Sequence, residues 1–199
     1  MNEGLVYIGK IIALEDVPNY QTVPEMVSAL VGNPYYITQK MDGMTSTAYK
    51  YKGHFGVCMR NFELKRDENN VFWKLAIKYD LENRLPEGYA IQWETCGPNI
   101  QSNPAGLEQV EAFAFTAYDI EHQKRLCFSD FSDLVRELKM KKCEILAAGQ
   151  IFEEEIMHRM AERFSYENGK PQEGVVVRSW DIVNCNHISF KCINLNYEN

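Results

Sequence analysis

Across 199 residues the chain has no C-x-x-C pair; its six cysteines are scattered at 58, 96, 127, 143, 185 and 192. A zinc site of the usual spacing is therefore not expected. Cys185, His187 and Cys192 lie close in sequence without a fourth ligand, and the four histidines show no metal spacing. Free thiols in a reducing cytosol are the simpler reading. No apolar run approaches the roughly 20 residues needed to span a bilayer. The start, Met1-Asn2-Glu3-Gly4, lacks the charged and apolar regions of a signal peptide. The expectation is a cytoplasmic protein with no membrane partner. Repeats and low-complexity tracts are absent. Positive charge is in deficit, with 21 Lys and Arg against 28 Asp and Glu for a net −7. That total argues mildly against nucleic-acid binding, because phosphate contacts supply most non-specific affinity. The objection is limited, since cations gathered in one groove set the local field. Lys50 and Lys52 read as alternating on one strand, while Lys139, Lys141 and Lys142 read as a solvated helix face.

What is present supports a core. The composition is 45% hydrophobic with ten phenylalanines, and the length suits one domain over 1–199. Residues 5–13 read as a strand and Val23 to Leu30 as a short helix, with Pro24 tolerated in its first turn. Strands are expected at 34–40, 45–51 and 54–60, with Gly53 turning the second into the third. Asn70 to Leu81 reads as an amphipathic helix with Phe72, Leu75, Ala76 and Tyr79 on one side. Strands at 89–95 and 111–120 follow, separated by a Gly/Pro/Asn loop over 97–106. Helices are expected over 129–142 and 152–164, and strands over 173–179 and 187–193. Interleaved elements with hairpin-scale links give an α+β fold with antiparallel sheets.

One turn concentrates chemistry. The aromatic and β-branched run Pro34-Tyr35-Tyr36-Ile37-Thr38-Gln39 reads as a buried strand and delivers Lys40-Met41-Asp42-Gly43. Residues i and i+2 of an extended chain point the same way, so Lys40 and Asp42 can address one ligand. Gly43 permits the turn. A strand-end lysine with part of its water removed is a candidate nucleophile. Glu173 stands just before Val175-Val176-Val177, a run typical of a strand buried on both faces. A glutamate there is costly without a cation. The alternatives are a solvated lysine–aspartate turn and a Glu173–Arg178 pair.

Further segments follow in order: Cys58-Met59-Arg60-Asn61-Phe62-Glu63-Leu64, Ile91 to Pro104 with Trp93-Glu94 and Gly97-Pro98-Asn99-Ile100-Gln101-Ser102-Asn103-Pro104, Phe115 to Ile120, Glu173 to Arg178, and Ile188-Ser189-Phe190-Lys191-Cys192-Ile193-Asn194. With the lysine turn, this series resembles the covalent nucleotidyltransferase superfamily of polynucleotide ligases and mRNA capping enzymes. It is most similar there to the ATP-dependent RNA ligases. The resemblance runs over roughly 34–194.

The resemblance implies a ligase-type nucleotidyltransferase domain, its antiparallel sheets enclosing the nucleotide and its helices packed outside. It implies ATP and Mg²⁺ (or Mn²⁺), a lysine–AMP intermediate, and RNA ends as partners, a 5′-phosphate and a 3′-OH. Lys40 becomes the nucleophile, with nearby cations favouring its neutral form, and Lys191 touches the α-phosphate. Glu173 and Glu94 belong to the metal shell, Glu94 alternatively to the ribose. Tyr118 covers the adenine, and Arg60 touches the sugar or the 5′-phosphate end. Gln39, whose amide both donates and accepts, selects adenine; Asp42 and Gly43 complete the nucleotide-binding turn. Arg60 has a structural salt bridge as its alternative, and Tyr118 a place in the core. Two departures stand out: Ser189 where many relatives carry a lysine, and Trp93 where most have glycine. The competing functions are a DNA or mixed-substrate nick-sealing ligase, and a nucleotide- or end-binding module that has lost sealing. Neither end of the chain has room for the five strands of an OB fold. Either an accessory module has been removed, or the protein is minimal, or a partner supplies the module.

Overall fold

A computed structural model describes residue 9 and residues 17–197. The strand expected over 5–13 therefore lies outside the described residues, apart from Gly9. In chain order the elements are α1 (Pro24–Leu30), β1 (Pro34–Gln39), β2 (Met44–Tyr51), β3 (His54–Met59), β4 (Phe62–Glu63), α2 (Val71–Lys78), α3 (Leu81–Arg84), β5 (Tyr89–Cys96), β6 (Glu111–Asp119), β7 (Lys124–Arg125), α4 (Phe128–Leu138), β8 (Lys141–Lys142), β9 (Ile145–Ile151), α5 (Glu154–Arg163), β10 (Gly174–Ser179) and β11 (Ser189–Ile193). The fold is α+β. It divides into two compact units, one over Gly43–Gln101 and Glu108–Lys142, the other over residues 17–42, 102–107 and 143–197.

Among the described residues the first unit is a seven-stranded sheet in the order β4-β3-β2-β5-β6-β7, with β8 beside β6. All neighbours are antiparallel except β8 on β6. β2 turns into β3 through Lys52 and Gly53, both at positive φ (52° and 74°), the backbone a two-residue hairpin needs. Lys52 is thus a turn residue and does not alternate with Lys50 on a strand. One sheet face, with Ala48, Val57, Ile91 and Trp93, packs against Phe72, Leu75 and Ala76 of α2 and Phe131, Val135 and Leu138 of α4.

Two helices of this unit are shorter than the sequence suggests. Asn70 caps α2, its Oδ1 accepting from Phe72 N at 2.9 Å, but the helix ends at Lys78. The chain passes through Asp80 in the left-handed region (φ 53°) before α3 begins, so the periodicity of 70–81 spans two helices. α4 stops at Leu138 because Lys139 takes φ 56°, and Met140 N–H then reaches back to Val135 O at 3.1 Å. This closure satisfies carbonyls that a helix end leaves unpaired. Lys141 and Lys142 consequently lie on a strand. Lys141 Nζ sits 2.8 Å from Glu111 Oε2, so the basic cluster is not simply a solvated helix face.

The second unit is a four-stranded antiparallel sheet in the order β11-β10-β1-β9. Its core joins Tyr35, Ile37, Val175, Val177 and Phe190 to Leu30 of α1, Met157 of α5 and Phe152. β10 is buried along its whole length, as the valine run implied. β9 is the strand the sequence does not announce. Its residues, Ile-Leu-Ala-Ala-Gly-Gln-Ile, are poor in strand formers, and its pairing to β1 shifts register twice. α5 starts at Glu154 with Glu154 and Glu155 in its first turn, where the helix dipole favours acids.

Candidate functional site

Lys40 is the first residue beyond β1. Its position is set by main-chain bonds on both sides: Gln39 N–H donates to Glu144 O and Lys40 N–H to Gly174 O, each at 2.9 Å. The second bond brings Lys40 to the start of β10, beside Glu173. Gly174, at φ 147°, makes this start possible, since a Cβ there would collide with Cys192 O and lie 2.9 Å from Ile193 Cα.

The Lys40 ammonium is ion-paired with Glu173 Oε1. Glu173 does not pair with Arg178; that buried guanidinium donates to Thr38 Oγ1 at 3.0 Å. The structure thus sets a carboxylate on Lys40, where sequence reasoning expected the neighbourhood of cations. Glu173 Oε2 is buried and has no hydrogen-bond partner among the described residues. Burial pushes the Glu173 carboxyl above its ordinary range; Lys40 pulls it back, Asp42 raises it further, and Lys191 opposes that. Lys191 lies on β11 opposite Val176. As alternation predicts, Phe190 and Cys192 enter the core while Lys191 and Ile193 stay half-buried. Ser189, two residues before Lys191, is 6% exposed, and its Oγ is buried without a partner among the described residues. Gln39 is buried, opposite Val175.

Asp42 does not share a partner with Lys40. Its Oδ2 accepts two hydroxyls, Ser102 Oγ at 3.0 Å and Tyr197 OH at 2.9 Å. Tyr197 is brought back by a turn on Asn194, whose carbonyl accepts from Tyr197 N–H at 3.1 Å and whose Oδ1 accepts from Asn196 N–H at 3.0 Å. Asn194 itself is 2% exposed. It donates through its main chain to Glu173 O at 2.9 Å and through Nδ2 to Gln172 O at 3.0 Å. Burial, then the bond to Asp42, pushes the Tyr197 hydroxyl up to about 12, so it remains a donor. Sequence reasoning missed Ser102, Asn194 and Tyr197 as site residues. Ser102 lay inside a quoted motif, but nothing in the sequence paired it with residue 42.

The other expected residues belong to the first unit. Gly43 opens β2, and a Cβ there would run into Thr95 O and sit 2.7 Å from Cys96 Sγ. Glu94 lies opposite Thr45, whose Oγ1 donates to Glu94 Oε2 at 3.1 Å. Ala90, Gln92 and Glu94 share a face of β5, and Tyr118 stands directly opposite Ala90, so Glu94 and Tyr118 are on one sheet face. Tyr118 is 8% exposed and packs with Tyr49, Cys58, Ala90 and Ile120. Trp93 takes the opposite side. It is fully buried among the helix-facing residues, with Nε1 donating to Thr95 Oγ1 at 3.0 Å. The indole therefore does not crowd the face that presents Glu94.

Arg60 lies just past β3 rather than on it. With φ at 51° it forms, with Asn61, the turn into β4, and its N–H donates to Thr45 O at 2.9 Å. Its side chain is exposed and forms no ion pair among the described residues, so the salt-bridge alternative is not observed. Asp119, next after Tyr118, is engaged locally: His122 N–H donates to its Oδ1 at 3.1 Å, and His122 Nδ1 lies 2.7 Å from Oδ2. A further network went unforeseen. Glu63 accepts from Tyr49 OH at 2.6 Å, and His54 Nε2 lies 2.8 Å from its other oxygen.

A family model described as RNA ligase matches residues 33–193, four-fifths of the chain. The chain belongs to the RNA ligase family. No curated protein matches it. Among solved structures it is similar to the Naegleria gruberi RNA ligase with PPi, at 28% identity and a TM-score of 0.82, covering 92% of this chain and 56% of that one. A mutant of the same ligase with ATP and Mn superimposes at 0.83 with 28% identity, covering 94% and 57%. Another, with AMP and Mn, gives 0.82 and 27%, covering 92% and 56%. This RNA ligase family chain thus spans a little over half the length of those relatives. The matched range takes in every residue assigned a role above except Asn194 and Tyr197, which lie just beyond it.

Proposed function

We propose that the chain is a single nucleotidyltransferase domain of an ATP-dependent RNA ligase and becomes covalently charged with AMP at Lys40. The observation that carries this reading is the Lys40–Glu173 pair: an amine fixed at a strand end against a half-buried carboxylate whose second oxygen is buried and unpartnered among the described residues. A family model that crosses both units supports treating them as one domain.

The chemistry asks three things of the chain's own residues. Lys40 Nζ must leave Glu173 and give up a proton to solvent before it can act as a nucleophile. It then forms an N–P bond to the α-phosphorus of ATP, while the bond to the β-phosphate oxygen breaks and pyrophosphate leaves with the electron pair. Lys191 is assigned to the α-phosphate, where a fixed cation stabilises charge developing in the transition state. The AMP passes to a 5′-phosphate end of RNA, and a 3′-OH displaces it as the strands join. Gln39 is assigned to the adenine edge, Tyr118 to its face, Arg60 to the sugar or the 5′-phosphate end, and Asp42 and Gly43 to the nucleotide-binding turn.

Glu173 would suit a divalent cation. Among the described residues Glu173 Oε2 is a buried acceptor lacking a donor, which a metal or its water would satisfy. Magnesium needs only one or two protein carboxylates, and Glu173 and Glu94 are the two assigned. When bound, magnesium or manganese would neutralise charge on the phosphates.

The test is the intact mass of the protein after incubation with ATP and Mg²⁺, beside GTP and a Lys40→Ala control. The expected result is a gain of one AMP, absent with GTP and absent in the variant. No adduct on the folded wild-type protein would overturn the reading. Comparing the joining of 3′-OH RNA with 3′-OH DNA then separates an RNA ligase from a mixed-substrate one.

A further inference from the structure

Asp42 is held by residues far from it in sequence. Ser102 and Tyr197 stand 60 and 155 positions away, and both hydroxyls donate to the same oxygen, Oδ2. Neither donates to Oδ1. The turn that returns Tyr197 is centred on Asn194, and Asn194 also binds the backbone of Gln172 and Glu173. One short segment therefore fastens the carboxylate two residues after Lys40 and the backbone of the carboxylate that pairs with Lys40.

We propose that the segment Asn194–Tyr197 is a clip for the nucleotidylation site, with Tyr197 and Ser102 acting as positioning residues for Asp42. The inference rests on the reading of Lys40 as the nucleophile. Two donors on one oxygen fix the carboxylate's torsion and leave Oδ1 for a donor on the substrate side. An aspartate with neither hydroxyl rotates freely, and the reacting arrangement is then populated only part of the time. Positioning losses of this kind fall on the rate at saturation more than on nucleotide affinity.

The contacts differ in quality. Tyr197 is half-buried and its bond is the shorter, whereas Ser102 is exposed. Hydrogen bonds to charged groups carry more energy than neutral ones and survive less well in water, so Tyr197→Phe should slow nucleotidylation about tenfold. Ser102→Ala should cost only about twofold to threefold by the same reasoning. Because either donor alone restrains the same oxygen, the double variant should lose more than the product of the single losses.

The experiment is single-turnover labelling of Lys40 with ATP and Mg²⁺ across ATP concentrations, on wild type, Tyr197→Phe, Ser102→Ala, the double variant, Asp42→Ala and Asp42→Ala/Tyr197→Phe. Thermal unfolding of each accompanies it. The expected result is a lower saturating rate for Tyr197→Phe at an unchanged half-saturating ATP concentration, and no further loss when Tyr197→Phe is added to Asp42→Ala. A chain shortened after Leu195 should behave like Tyr197→Phe. Wild-type rates in Tyr197→Phe overturn the proposal, as does an equal loss in the Asp42→Ala background, which would mark a general structural role. Failure of the wild type to label overturns instead the assignment of Lys40.

Discussion

Replacing Trp93 by alanine should strongly destabilise the first unit without harming the chemistry of the molecules that stay folded. The family resemblance leads one to expect glycine at this position, which makes the tryptophan look like an intrusion beside Glu94. The structure gives it another task. It is fully buried in the core between β5 and the helices α2 and α4, on the side of the strand opposite Glu94. An aromatic side chain of this kind buries about 150–250 Å², worth roughly 4–6 kcal/mol at ~25 cal/mol per Å². Measured Trp→Ala losses fall at about 3–5 kcal/mol. A domain has only about 5–15 kcal/mol in total, so Trp93→Ala should remove a large fraction of its stability. The polar term is small, because Thr95 Oγ1 keeps Ser46 Oγ at 2.8 Å when the indole is gone. Trp93→Phe keeps most of the packing and should cost roughly 1–2 kcal/mol. The assay is urea unfolding of wild type and both variants, with Lys40 labelling measured on the folded fraction. A loss under about 1 kcal/mol for Trp93→Ala would refute the packing argument. Full stability in Trp93→Phe with labelling abolished would place the indole on the nucleotide face instead.

Three further outcomes are expected. Gln39→Leu should raise the ATP concentration needed for half-maximal labelling while leaving labelling at saturation; unchanged ATP use would show that the Gln39 amide does not read the base. Gly43→Ala should lower stability by about 1–3 kcal/mol, because the new methyl meets the Thr95 carbonyl within a paired strand that cannot yield; a melting temperature equal to wild type would refute this. Glu111 is pushed up by burial, but hydrogen bonds from Lys141 and Lys78 outweigh that and hold it below its ordinary range. A depressed carboxylate contributes stability that is fully present above its unfolded value of 4.5 and is lost as pH falls through the folded one. Glu111→Gln should therefore flatten the acid limb of the stability profile, and an acid limb as steep as wild type would show that other groups set it.

The parts of the molecule that local pattern controls were legible in the sequence. The valine run at 175–177 and the aromatic run before Lys40 are strands because their side chains suit a buried pleat. The helix limits were harder. Asp80 and Lys139 adopt left-handed backbone, which neither aspartate nor lysine signals as glycine would, and each ends a helix that the hydrophobic period would extend. β9 was invisible for a related reason: its alanines and glycine carry no strand preference, and its place is fixed by tertiary pairing to β1.

The site divides along the same line. Lys40, Glu173 and Lys191, the proposed reacting groups, were read from residue type and motif order. The hydrogen bonds that hold them were not. Asp42 pointed, by the i, i+2 rule, toward whatever Lys40 addresses, yet its Oδ2 is taken by hydroxyls that a one-dimensional reading cannot place near it. A serine in a Gly/Pro/Asn loop and a tyrosine among the last residues are ordinary in isolation. They become specific only when the fold brings residues 42, 102 and 197 to one carboxylate oxygen. What a sequence motif conveys is thus the reacting groups; their orientation resides in contacts of long sequence separation, and that is where substitutions in this chain should alter rate while leaving affinity in place.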